Sequence, residues 1–182
     1  TTALLVKGYP ASAHWWRPLV TRMTMGWLIL AATWLSLAFL KTLPGGAMLV
    51  ILLIVVVAAA DIGAYFAGRR FGAHKLAPAV SPGKTWEGLW GGVLAVMVVT
   101  VIVWQGLSPS LDHLRVQSLL LLGLALAGAS VLGDLTVSMV KRTGGVKDSS
   151  ALLPGHGGIL DRIDSVCGAA PVFALGLILM DY

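Results

Sequence analysis

Residues 134–165 read DLTVSMVKRTGGVKDSSALLPGHGGILDRIDS, from Asp134 to Ser165. Four of the chain's eight acidic residues fall here, with four of its thirteen Lys and Arg and one of its four His. Apolar runs long enough to cross a bilayer flank the stretch on both sides. Charge beside lipid is costly unless it is paired, metal-bound or wetted, so this stretch is the first place to look for function.

The rest of the chain explains why such a stretch stands out. Of 182 residues, 57% are hydrophobic and 12% charged, with a mean hydropathy of +0.87. Soluble domains are about half apolar and about a quarter charged, and here the apolar residues come in long unbroken runs. The expected fold is all-α: one polytopic transmembrane domain of about five spans. The single Cys167 excludes an internal disulfide, and its apolar surroundings read as packing. The chain opens on Thr1 without a signal-peptide pattern, as expected of a piece of a longer protein.

Residues 1–25 mix Lys7, Arg17 and Arg22 with Pro10, Pro18 and Trp15-Trp16, which reads as an interfacial segment. Residues 26–182 then form the membrane domain, with apolar runs at 26–40, 47–68, 88–106, 117–140 and 163–180. Polar loops fall at 69–87 and 141–162, and shorter ones near Lys41 and Arg115. Alternate sides of this layout hold eleven and two of the cations. The positive-inside tendency therefore makes the 69–87 and 141–162 loops cytoplasmic. The same assignment brings Asp61, Asp134, Asp161 and Asp164 toward the cytoplasmic ends of their helices. No internal repeat of the kind many transporters carry is evident.

Asp134, Ser138 and Lys141 share one helix face, and Asp161 and Asp164 share another. Two or three carboxylates on adjoining helix ends suit Mg²⁺ or another hard cation. The same pattern also fits acids favouring a helix N-terminus, with Asp134 paired to a Lys or Arg. Lys141, Arg142, Lys147, Arg162 and His156 lie among glycines whose backbone N–H groups can approach an anion closely, as in a phosphate cradle. Carboxylates and cations together are the parts that phosphoryl or nucleotidyl transfer needs. A plainer use would be a basic loop on anionic headgroups. Ser81-Pro82-Gly83-Lys84-Thr85 contains G-K-T, but Pro78 stands where a nucleotide P-loop requires glycine, so that motif is rejected. Asp61 fits either a pairing with Arg69 or Arg70 or a place in the site.

Ser138, Lys141-Arg142, Lys147-Asp148, Pro154, His156-Gly157-Gly158, Asp161-Arg162 and Asp164 together resemble the signature of the phosphatidate cytidylyltransferases (CDP-diacylglycerol synthases) of bacterial type. The run 131–136 and the pieces 74–78 and 81–87 are similar to members of the same family. The resemblance implies an integral membrane enzyme that joins CTP to phosphatidic acid, giving CDP-diacylglycerol and pyrophosphate. It implies Mg²⁺, one ion or two, held by Asp134, Asp161 and Asp164. Lys141 and His156 complete the catalytic set. Ser81, Lys84, Ser138, Arg142, Lys147 and Arg162 would contact substrate and its phosphates. Further implied are a bacterial inner membrane with the site facing the cytoplasm, lipid and a homodimer as partners, and no nucleic acid. Two positions depart from the pattern: Val137, where the family carries Glu, and Ile62, where Ser or Thr is common. The rival expectations are the same chemistry on another lipid phosphate, an ion or proton transporter using the carboxylates, and a non-catalytic scaffold.

Overall fold

The computed structural model describes Tyr9 and residues 18–111, 116–152, 154–155 and 157–182, with side chains at 107–111 left aside. Among the described residues, five helices and one small hairpin follow in order: α1 (Leu19–Thr42), α2 (Gly46–Phe71), β1 (Lys75–Ala77), β2 (Ser81–Thr85), α3 (Trp86–Leu111), α4 (Val116–Thr143) and α5 (Leu160–Leu179). All five helices are long and apolar enough to span a membrane. The chain is an integral membrane protein of the expected all-helical class. The β-branched run within α2 is helical, because lipid offers its backbone no partner other than itself.

Two boundaries differ from the sequence expectation. Helix α1 starts at Leu19 instead of residue 26, so most of what remains of the interfacial segment lies outside the described residues. The 69–87 loop is an antiparallel hairpin, pairing Lys75 with Thr85 and Ala77 with Ser81 across a bulge. Pro82 and Gly83 hide a strand from any propensity reading. Proline is nevertheless tolerated in a two-stranded ribbon, where every strand is an edge.

Helices α2 and α3 pack along Gly63, Gly91 and Gly92, where small residues let the backbones approach closely. A continuous core of Leu53, Val57, Val96, Leu126, Ala169 and Phe173 joins α2, α3, α4 and α5. A second cluster docks the hairpin on the end of α4: Ala77 and Val80 meet Leu135 and Met139. Arg142 strengthens that junction, its Nε donating to the Val80 carbonyl at 3.4 Å.

Helix α5 contains Pro171, which has no N–H to give to the carbonyl of Cys167. The buried Thr33 of α1 stands opposite that carbonyl, its hydroxyl 3.4 Å from the Cys167 oxygen and 2.7 Å from that of Ile29. A proline in one span is thereby answered by a hydroxyl from its neighbour.

Candidate functional site

The chain direction brings the end of α2, the hairpin, the end of α4 and the start of α5 to one side of the bundle. Where α4 crosses α5, Gly133 faces Gly168. A side chain on Gly133 would stand 2.7 Å from both the Asp164 carbonyl oxygen and the Gly168 nitrogen. This crossing sets Asp134, the next residue of α4, beside Asp164 of α5.

Asp134 joins α4 to the hairpin. Its Oδ2 pairs with the Lys84 ammonium of β2 at 2.6 Å, and its Oδ1 accepts from the Ser138 hydroxyl at 3.1 Å. The backbone behind Lys84 is fixed, because the hydroxyl of buried Thr85 accepts from the Gly88 N–H at 3.1 Å and caps α3. Glu87 accepts from the His74 N–H and contacts its Nδ1 at 2.7 Å, closing the base of the hairpin.

Two turns beyond Asp134 on α4, Lys141 Nζ pairs with Asp161 Oδ1 at 2.5 Å in a mostly buried bridge. The other oxygen, Oδ2, accepts from the Ser149 N–H at 2.8 Å, the Ser149 hydroxyl at 2.9 Å and the Gly158 N–H at 2.8 Å. Asp161 therefore fastens both ends of the 149–158 loop to α4. Gly157 is in the left-handed region at φ 79°, which turns the chain into this contact.

Beside the Lys84–Asp134 pair lies a cavity of about 220 Å³. Asp61, Tyr65, Leu76, Gly83, Lys84, Leu89, Val131 and Asp134 are among its lining. A second, polar hollow of about 460 Å³ is bounded by Lys147, Asp148, Ser150, Gly155, Gly157 and Arg162.

Of the residues singled out from sequence, Lys84, Asp134 and Ser138 form one connected group, and Lys141 with Asp161 another. Lys147 and Arg162 line the polar hollow, Arg142 is spent partly on the hairpin, and Ser81 opens β2. Asp164 lies between the two groups, its Oδ1 accepting from the Ser165 N–H at 2.8 Å. His156 lies outside the described residues. Val137 is buried in α4, and Ile62 is exposed on α2.

Asp61 is not spent on the end of its own helix. Arg69 instead donates to the Tyr65 hydroxyl at 2.9 Å, and Arg70 lies over the Phe71 ring. Asp61 opens to the cavity and accepts from Ser165 of α5 at 3.4 Å. Sequence left its role open, although it is the one acid in the whole α2 run. Asp61 and Asp134 also lie deeper than helix ends. Asp61 is ten residues before Phe71 and Asp134 nine before Thr143, about 15 and 13 Å at 1.5 Å per residue. The cavity is therefore cut into the bundle, where charge must be balanced.

That balance bears on a metal. Among the described residues, no three His, Cys, Asp or Glu side chains converge into a ready-made cage. Asp134 nonetheless acts electrostatically on both Asp61 and Asp164, so three carboxylates share one field with the Lys84 ammonium. The excess negative charge is what one divalent cation cancels. Mg²⁺ needs only one or two carboxylates and keeps its remaining places for water and substrate phosphate. The donor set therefore fits Mg²⁺ through Asp134 and its neighbours. Asp161 could join only by giving up a present partner.

Comparison with known proteins bears on the family of the chain. A model of the cytidylyltransferase family matches residues 2–180. A phosphatidate cytidylyltransferase of Pseudomonas aeruginosa is 52% identical over 172 residues, covering 94% of this chain and 62% of that protein. One from Haemophilus influenzae is 45% identical over 179 residues, with the same coverage of each. One from Synechocystis is 42% identical over 146 residues, 80% of this chain and 48% of the relative. The chain thus spans about three-fifths of the length of the first two relatives.

Proposed function

Because the chain belongs to the cytidylyltransferase family, we propose that it carries the catalytic part of a phosphatidate cytidylyltransferase. The reaction transfers a cytidylyl group from CTP to phosphatidic acid, releasing pyrophosphate and forming CDP-diacylglycerol. The observation that carries this reading is the paired layout of the site. Two lysines, Lys84 and Lys141, each stand against an aspartate, Asp134 and Asp161, and the first pair lines a cavity sunk into membrane helices.

The chemistry asks for little beyond placement and charge. A phosphate oxygen of the lipid forms a new bond to the α-phosphorus of CTP, and the bond to the β-phosphate oxygen breaks. The lipid phosphate is already an anion near neutral pH, so no strong general base is needed. Lys84 and Lys141 offer ammonium groups to the nucleotide phosphates, and the Lys147 ammonium and Arg162 guanidinium do so from the polar hollow. The Gly157-Gly158 turn holds the loop close enough for its backbone to take part. Bound Mg²⁺ would be held by Asp134 and Asp164 with Asp161 as an exchanging partner, and would offset charge building on the leaving pyrophosphate. His156, among the signature residues, is assigned to phosphate contact. A second cation would find its ligands among the same acids.

The placement of the reaction follows from its substrates. The nucleotide comes from water and the lipid from the bilayer, so the site belongs at the cytoplasmic face of a bacterial inner membrane. The eleven-to-two cation asymmetry supports that orientation. A homodimer is the proposed assembly, and nucleic acid is not a partner.

The test is turnover by the purified full chain with CTP, Mg²⁺ and phosphatidic acid, with an isoprenoid phosphate as a parallel substrate. CDP-diacylglycerol and pyrophosphate in equal amounts are expected from the first. Turnover with the isoprenoid phosphate alone would reassign the lipid, and no product from either would end the enzymatic reading.

A further inference from the structure

Among the described residues lining the inner cavity Lys84 is the one cation, and two acids from different helices share that cavity with it. Asp134 of α4 holds it at 2.6 Å. Asp61 of α2 lines the same space and lies in the field of both Lys84 and Asp134. Asp61 is itself steadied from a third helix by the Ser165 hydroxyl, and Ser165 is buried. Arg69, an alternative partner about two helix turns away, is turned to Tyr65. The Lys84 backbone cannot follow its side chain, because the adjacent Thr85 is buried and caps α3. Lys84 can therefore swing between two carboxylates while the strand that carries it stays still.

We propose that Asp61 is a second anchor for the Lys84 ammonium, a positioning residue that keeps Lys84 inside the cavity when Asp134 is drawn to another cation. The consequence for catalysis rests on the nucleotidyl-transfer reading. The anchoring does not. With Asp134 alone, any cation that engages that carboxylate would release Lys84 toward solvent, and the ammonium would have to be recaptured for each nucleotide. With Asp61 present, Lys84 passes from one acid to the other and remains where a phosphate enters. Asp61 thereby connects α2, which carries none of the signature residues, to the working end of the hairpin.

The anchoring is read directly by the rate at which Lys84 reacts with an amine-acylating reagent, followed by peptide mass spectrometry on the full chain in lipid nanodiscs without nucleotide. Asp134→Asn and Asp61→Asn are each expected to raise Lys84 labelling by no more than about twofold, and the double variant by about fivefold or more. An Asp134→Asn protein that labels as fast as the double variant overturns the proposal. In turnover, Asp61→Asn is expected to raise KM for CTP about tenfold with kcat within about threefold, and Asp61→Glu to recover most of it. That effect should vanish when Lys84 is already Met, because the cycle removes the shared partner. An effect of Asp61→Asn that persists unchanged in Lys84→Met overturns it as well. If Asp61→Asn fails to fold, the Asp61→Asn/Lys84→Met pair removes both charges and should recover folded protein, and lack of recovery counts against the anchor. A wild-type chain with no CTP turnover would refute the enzymatic reading and leave the labelling result standing.

Discussion

Among the described residues, Asp161 holds an ammonium on one oxygen and three donors from the loop on the other. Its side chain and that of Lys141 are only 7% and 14% exposed. A buried pair with its lone pairs filled is costly to break, because the surviving charge stays in a poor solvent. Asp161→Asn keeps the shape but strands Lys141 and turns an amide toward a donor. The expected result is a loss of about 3 kcal/mol in stability, seen as a lower thermal midpoint with the helical signal retained below it. Turnover should fall by about a hundredfold or more, since the loop and Lys141 lose their common tie. Ser149→Ala removes the hydroxyl alone and should cost about 1 kcal/mol. Normal turnover in Asp161→Asn would refute its place in the site. At this scale sequence was a guide to which residues share a helix face and a poor one to what each touches. Spacing put Asp134, Ser138 and Lys141 on one face. The hydrogen bond from Ser138 to Asp134 agrees with that. Nothing in the spacing could show that Lys141 passes over Asp134 to reach Asp161, because that depends on how far α5 descends beside α4.

Helices were legible because lipid forces them, and their crossings were not. The five apolar runs correspond to the five spans, with ends displaced by several residues where polar side chains extend a helix past the hydrocarbon. The hairpin was missed because Pro82 and Gly83 argue against a strand, while its stability comes from docking on Leu135 and Met139. Two crossings deserve tests of their own. At Gly168 an added methyl would collide with the Ala129 carbonyl and the Gly133 backbone. Gly168→Ala should therefore push α4 from α5, costing about 1–3 kcal/mol and lowering turnover as Asp134 parts from Asp164. Gly128→Ala, on α4, meets nothing within 4 Å. It should be neutral or stabilising, by up to about 1 kcal/mol of helix propensity. Thermal unfolding of the two variants side by side checks the difference, and equal midpoints would contradict the close crossing. At the other crossing, Thr33→Val keeps the volume but removes the hydroxyl opposite the carbonyl that Pro171 leaves free. A loss of about 1 kcal/mol is expected, and it should disappear when Pro171→Ala restores the helix's own donor.

Over the whole molecule, the direction of the chain and the distribution of cations make independent statements that can be compared. Following the helices, the hairpin and the 144–159 loop lie on the same side, and the short α1–α2 turn lies on the other. Among the described residues, nine Lys and Arg fall on the side of the site and Lys41 alone on the opposite side. Positively charged loops are held back in the cytoplasm during insertion. The carboxylates and lysines would then meet a nucleotide from within the cell. Cys167 is buried and is the only cysteine, so the native chain provides a quiet background for thiol labelling. Thr42 ends α1 on the cation-poor side, and Ala79 sits in the hairpin turn, both exposed. Thr42→Cys should react with a membrane-impermeant maleimide added to intact spheroplasts. Ala79→Cys should react only after the membrane is opened. The reverse pattern would turn the molecule over and leave the site facing away from any cytosolic nucleotide. The proposed substrate would then have no route to Lys84, whatever the chemistry of the cavity.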